Sequence, residues 1–110
     1  MKIFKIENMS RGWFIGDFDP SVLKTDLFEV AVKRYLAGQY EELHHHRIAK
    51  EITVIVRGEV MILGKRYCTG DIVEVEPNEA IDFRAVTDVD TIVVKLPSVV
   101  GDKFLGARQC

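Results

Sequence analysis

Apolar and polar side chains alternate over residues 28–36 (FEVAVKRYL), with Phe28, Val30, Val32 and Leu36 on one side and Glu29, Ala31, Lys33 and Tyr35 on the other. A period of two is the signature of a β-strand, and the more apolar side is expected to face the core. Lys33 and Tyr35 are then expected toward solvent, the alternative being an acid, base or hydrogen-bond donor to a substrate. Residues 52–57 (ITVIVR), 59–63 (EVMIL), 72–76 (IVEVE), 80–86 (AIDFRAV) and 91–96 (TIVVKL) are rich in Val and Ile. Gly58, Gly64, Gly70, Pro77-Asn78 and Asp88–Asp90 stand at or near their boundaries. Short β-branched runs divided by such residues predict antiparallel strands joined by tight connections. Only residues 20–27 (PSVLKTDL) suit a short helix, with Pro20-Ser21 as its start. An all-β sandwich or barrel follows, and closure would hide the edges of so many short strands.

Composition narrows this picture. A chain of 110 residues with 47% hydrophobic residues suits one packed domain spanning residues 1–110, and no repeat or linker interrupts it. Lys and Arg are scattered among Asp and Glu, and the net charge is -2, which disfavours nucleic-acid binding. The opening MKIFKIENMSRGWF lacks an apolar signal region, and no run approaches the roughly 20 apolar residues of a membrane span. Cys68 and Cys110 form no disulfide framework, so a reducing cytoplasm is the expected location.

The chemistry concentrates between Gly38 and Gly58, in GQYEELHHHRIAKEITVIVRG. Along a strand His44 and His46 share a side while His45 takes the other, so two imidazoles converge and His45 is expected at a surface or interface. After a short excursion through Arg47–Lys50, Glu51 opens the next strand, where its carboxylate can reach the same point. Two imidazoles and a carboxylate with open positions suit one divalent ion such as Fe, Mn, Ni or Zn. Thr53 and Ile55 share the face of Glu51 and should line the same interior.

The spacing of Gly38, His44, His46, Glu51 and Gly58 resembles the first motif of the cupin superfamily at every fixed position. The second motif is matched in part: Gly70-Asp71 and Pro77 are present, Glu79 stands where a glycine is expected, and Asp82 replaces a histidine. This resemblance implies a small jelly-roll β-barrel with metal in its mouth and a homodimeric state. It also implies Asp82 as the fourth ligand, or as a carboxylate orienting a ligating histidine from behind.

By alternation Arg84 shares the side of Asp82, which makes it a candidate anchor for a substrate carboxylate or phosphate. Trp13, Phe14 and Phe18 suit core or interface positions, and the run PSVVGDKF at 97–104 points to no chemistry. Two classes of function fit. The first is a metal-dependent enzyme acting on a small polar molecule, sugar-like or bearing carboxylate or phosphate, by isomerase, epimerase or lyase chemistry, or by dioxygenation if the ion is iron. The second is a non-catalytic or regulatory binder of a small ligand.

Overall fold

The two-residue period is realised in strands throughout the computed structural model, which describes residues 1–109; Cys110 lies outside the described residues. In chain order the strands are β1 (Trp13–Gly16), β2 (Leu23–Lys24), β3 (Glu29–Tyr35), β4 (Tyr40–His46), β5 (Lys50–Arg57) and β6 (Glu59–Ile62). They continue as β7 (Lys65–Cys68), β8 (Ile72–Val75), β9 (Ala80–Ala85), β10 (Val89–Leu96) and β11 (Lys103–Leu105). One sheet has six strands in the order β2-β1-β3-β10-β5-β8, and the other has five in the order β11-β4-β9-β6-β7. Pairing is antiparallel except between β1 and β2.

The helix expected over residues 20–27 is not formed. That segment carries β2, where Val22 N–H donates to Phe14 O at 2.8 Å and Thr25 N–H donates to Gly16 O at 3.2 Å. An edge of β1 was available to satisfy these groups, whereas one isolated helical turn is costly to nucleate. Among the described residues, the one helical element is a 3-10 turn at Ile6–Asn8.

Cross-strand register explains what lies between the sheets. On the inner side of the six-stranded sheet three rows cross β3, β10 and β5: Glu29–Lys95–Glu51, Ala31–Val93–Thr53 and Lys33–Thr91–Ile55. The last row borders the main apolar core of Ile55, Val60, Ile62, Phe83, Ala85 and Val89. The first row is charged, so one end of the interior is apolar and the other polar. Here the expectation for β3 is corrected: Ala31, Lys33 and Tyr35 face inward, and Val30 and Val32 face outward. The outer face of this sheet is itself apolar, with Val32, Ile92, Val54 and Ile72 in one continuous row. Hydrophobicity alone therefore selected the wrong side.

Gly58 joins β5 to β6 at φ +107°, and a Cβ there would stand 2.3 Å from Asp88 O. The glycine closing the first motif is thus required by a close backbone approach as well as by its left-handed conformation.

Candidate functional site

Strand β4 brings the site together through a β-bulge. Glu41 pairs with Phe83 and His44 with Ile81, so three steps along β4 face two along β9. The extra residue places Glu41 and His44 on the same inner side, which simple alternation forbids. His44 Nδ1 donates to Glu42 O at 2.7 Å, fixing its ring and leaving Nε2 for the interior. His46 lies beyond it, with ring centroids 5.6 Å apart at 83°. Glu51 on β5 faces them from the other sheet, with Oε2 3.8 Å from His46 Nδ1 and Oε1 accepting from Thr53 Oγ1 at 3.3 Å.

These groups line a cavity of 260 Å³ together with Tyr35, Glu41 and a basic rim of Arg11, Lys33, Lys95 and Lys103. Tyr35 Oη donates to Glu41 Oε2 at 3.1 Å, and Lys103 Nζ donates to Glu41 Oε1 at 3.2 Å. Lys33 and Lys95 flank the Trp13 ring, their ammonium groups 5.3 and 4.9 Å from its centroid. Sequence reasoning favoured solvent for Tyr35 and Lys33 because it inverted the faces of β3, and it missed Glu41 because of the bulge.

Burial sets the protonation states. It drives the His46 imidazole down to about 4, helped by the charges of Lys95 and His44. It pushes the Glu51 carboxyl up against the opposing pull of Lys95 and His44. The Tyr35 hydroxyl is pushed far up by burial and by Glu41, so it holds its proton. Burial also raises Glu41, but Lys103, His44 and the Tyr35 hydroxyl outweigh this and keep its carboxyl below the usual range. Burial and the nearby Arg11 lower the Lys33 ammonium. The cavity thus combines neutral imidazole, protonated phenol and fixed positive charge.

Asp82 and Arg84 are not brought to this cavity. Ile81, Phe83 and Ala85 point inward from β9, so Asp82 and Arg84 face outward, where Asp82 Oδ1 accepts Leu63 N–H at 2.7 Å. They do share one side, as alternation requires, but it is the outer one. The cause is a one-residue offset in the turn. Asn78, at φ +73°, adopts the left-handed conformation that the motif's second glycine would supply, one position before Glu79. Counting onward from Asn78 puts Ile81, paired with His44, in the place of the motif histidine. Arg84→Ala is therefore expected to leave ligand affinity unchanged within error and stability within about 0.5 kcal/mol, as calorimetry and urea titration would show.

The donor set does not fit a metal ion as the motifs suggested. Among the described residues no three His, Cys, Asp or Glu side chains form a group able to hold one. An isoleucine occupies the fourth position, and Lys95 Nζ donates to His46 Nε2 at 3.4 Å, engaging the lone pair a metal would need. His45 faces away from the pair, yet it is buried instead of exposed: Nδ1 donates to Gly106 O at 2.7 Å and the ring stacks on Phe104 at 5.5 Å.

The arrangement of the two sheets has clear counterparts among solved structures. An uncharacterized conserved protein with a double-stranded β-helix domain from Klebsiella pneumoniae superposes with a TM-score of 0.73 at 18% identity, covering 97% of this chain and 93% of that one. A sugar phosphate isomerase from the cupin superfamily of Silicibacter pomeroyi gives a TM-score of 0.59 at 19% identity over 64% of this chain and 50% of the other. The fold is a cupin fold. A further cupin-fold neighbour, the bacterial pirin YhhW of Escherichia coli in complex with nickel(II), gives a TM-score of 0.65 at 22% identity, over 80% of this chain and 39% of its own. No protein-family model and no curated protein matches the sequence. Among the described residues no helix is long and apolar enough to cross a membrane.

Proposed function

We propose that this cupin-fold chain acts on a small anionic, hydroxylated molecule in the cavity between its sheets, by proton-transfer chemistry of the isomerase, epimerase or lyase type. The observation that carries this reading is the convergence of Tyr35 from one sheet with Glu41, His44 and His46 from β4 of the other on one cavity rimmed by Lys33, Lys95, Lys103 and Arg11. His44 Nε2, left free by the bond from its Nδ1 to Glu42 O, accepts a proton from carbon and returns it to the product, and the lysines stabilise the carboxylate beside the reacting carbon. The sheets are read as a jelly-roll barrel with the cavity in its mouth. The apolar outer row Val32–Ile92–Val54–Ile72 supports a homodimer, and the sparse cysteines support a cytoplasmic setting.

Lys33 tests the anionic ligand. Among the described residues no carboxylate lies within ion-pair distance of it, and its Nζ donates to Arg11 O at 2.8 Å, leaving further N–H groups for a ligand. Across a calorimetric panel of hydroxycarboxylates and sugar phosphates, Lys33→Ala is expected to weaken binding about tenfold, the equivalent of about 1.4 kcal/mol. Equal binding of neutral sugars, or an unchanged affinity in the variant, would count against the proposal.

A divalent ion on His44, His46 and Glu51 is the second reading. The bond from His44 Nδ1 to Glu42 O favours it, because it turns Nε2 toward the interior as a ligating histidine requires. This reading requires Lys95 to withdraw from His46.

A further inference from the structure

We propose that Lys95 is the resident cation of this site, and that its ammonium takes the role a metal ion would otherwise fill. This rests on the anionic-ligand reading only for the class of molecule bound.

The register places Lys95 where two carboxylates need a positive charge. On β10 it is the cross-strand partner of Glu29 on one side and of Glu51 on the other, all three on the inner face. Its Nζ lies 3.2 Å from Glu29 Oε1, and the Glu29 carboxylate is itself fixed by Ser98 Oγ, which donates to Oε2 at 2.9 Å. The Trp13 ring covers the ammonium on a third side. A second N–H donates to His46 Nε2 at 3.4 Å, which makes Nε2 the acceptor and puts the imidazole proton on Nδ1, toward Glu51. With Nε2 accepting from Lys95 and Nδ1 holding the proton, neither ring nitrogen of His46 offers a free lone pair to an ion beside Glu51, and a dication here would also face the Lys95 charge at close range.

The substitution is consistent across the site. Ile81 fills the place of the fourth ligand, so no vacant donor awaits an ion. The ammonium has three donors and spends two, on Glu29 and His46. The third, with Lys33 flanking the same Trp13 ring, forms a two-lysine corner suited to one carboxylate.

The test uses protein purified without a histidine tag. The native chain is expected to carry less than about 0.1 metal ion per chain by elemental analysis, with a Tm unchanged by EDTA, Ni²⁺ or Zn²⁺. Lys95→Met keeps the side-chain length and removes the charge, releasing the His46 imidazole, which lies near His44 and Glu51, to offer a lone pair from either ring nitrogen. It is expected to bind Ni²⁺ at least about tenfold more tightly than the native chain, with a Tm rise on adding the ion. Should that variant not fold, Lys95→Met with Glu29→Gln removes both members of the ion pair and carries the same expectation. Stoichiometric metal in the native protein, equal Ni²⁺ affinity in native and variant, or no gain in either variant would overturn the assignment. If no anion binds while the metal response appears only without Lys95, the proposed function fails and this assignment stands; anion binding with a metal-loaded native protein is the opposite case.

Discussion

Replacing Asp102 with alanine is expected to destabilise the fold by about 3–5 kcal/mol and to loosen the cavity with it. The carboxylate is 6% exposed and accepts the N–H groups of Arg47 at 3.0 Å, Ile48 at 3.1 Å and Ala49 at 2.9 Å. These donors belong to the connection between β4 and β5, the segment that holds His46 and Glu51 at a fixed separation. Burial would raise the carboxyl of Asp102, but the three N–H bonds outweigh it and hold it below the usual carboxylate range. Alanine leaves three donors without an acceptor, each costing about 1–3 kcal/mol where water does not replace the carboxylate. Water can reach Arg47 and Ile48, which are exposed, and not the buried Ala49, so the total falls short of the full sum. Asp102→Asn keeps one acceptor oxygen and should lose about half as much. Urea titration at neutral pH measures both, and a loss below about 1 kcal/mol for the alanine variant would show that the connection is held by something else.

Most of the fold was legible because a strand announces itself locally. The six strands expected from periodicity all appear, with ends displaced by a residue or two, since Val- and Ile-rich runs between turn residues admit few other structures. The missed strands β1, β2, β7 and β11 are four residues or shorter and lack the Val- and Ile-rich runs that mark the equally short β6 and β8. The site was less legible, and each failure has a cause in three dimensions. Sidedness on β3 failed because both faces of its sheet are partly apolar. Glu41 escaped because a bulge is invisible to alternation. Asp82 and Arg84 were placed inside because the second motif was counted from Glu79, whereas the left-handed turn sits at Asn78.

The run at 97–104 shows the limit most clearly. Ser98 and Asp102 are among the most buried polar residues, yet their partners are Glu29, Asp17, Arg47, Ile48 and Ala49, all at least 53 positions away. Nothing local marks such residues, because their role is to satisfy groups that only the folded chain brings near. The same holds for Lys95. Within TIVVKL it reads as the polar end of a strand, and its significance arises from lying in register between Glu29 and Glu51.

The pH dependence of stability should report on His46 directly. In the unfolded chain its imidazole titrates near 6.5, and in the folded protein burial, with Lys95 and His44, moves this to about 4. Above pH 6.5 the residue is neutral in both states. As the pH falls below 6.5 the unfolded chain binds the proton first, so stability drops until the folded state also takes it up near pH 4. A shift of this size corresponds to about 3 kcal/mol lost across the window. Glu51 opposes this trend, because its raised carboxyl makes the folded state the better proton acceptor. The observed slope is therefore the difference of the two, and a variant must separate them. His46→Gln removes the imidazole titration and leaves the Glu51 carboxyl in place. Measured by urea at pH 7 and pH 4, the variant's stability relative to the native chain is expected to rise by about 3 kcal/mol on going to the acid. A relative stability that stays constant between the two pH values would mean that the imidazole already takes its proton in the folded protein, which the adjoining Lys95 ammonium and the burial of the ring oppose.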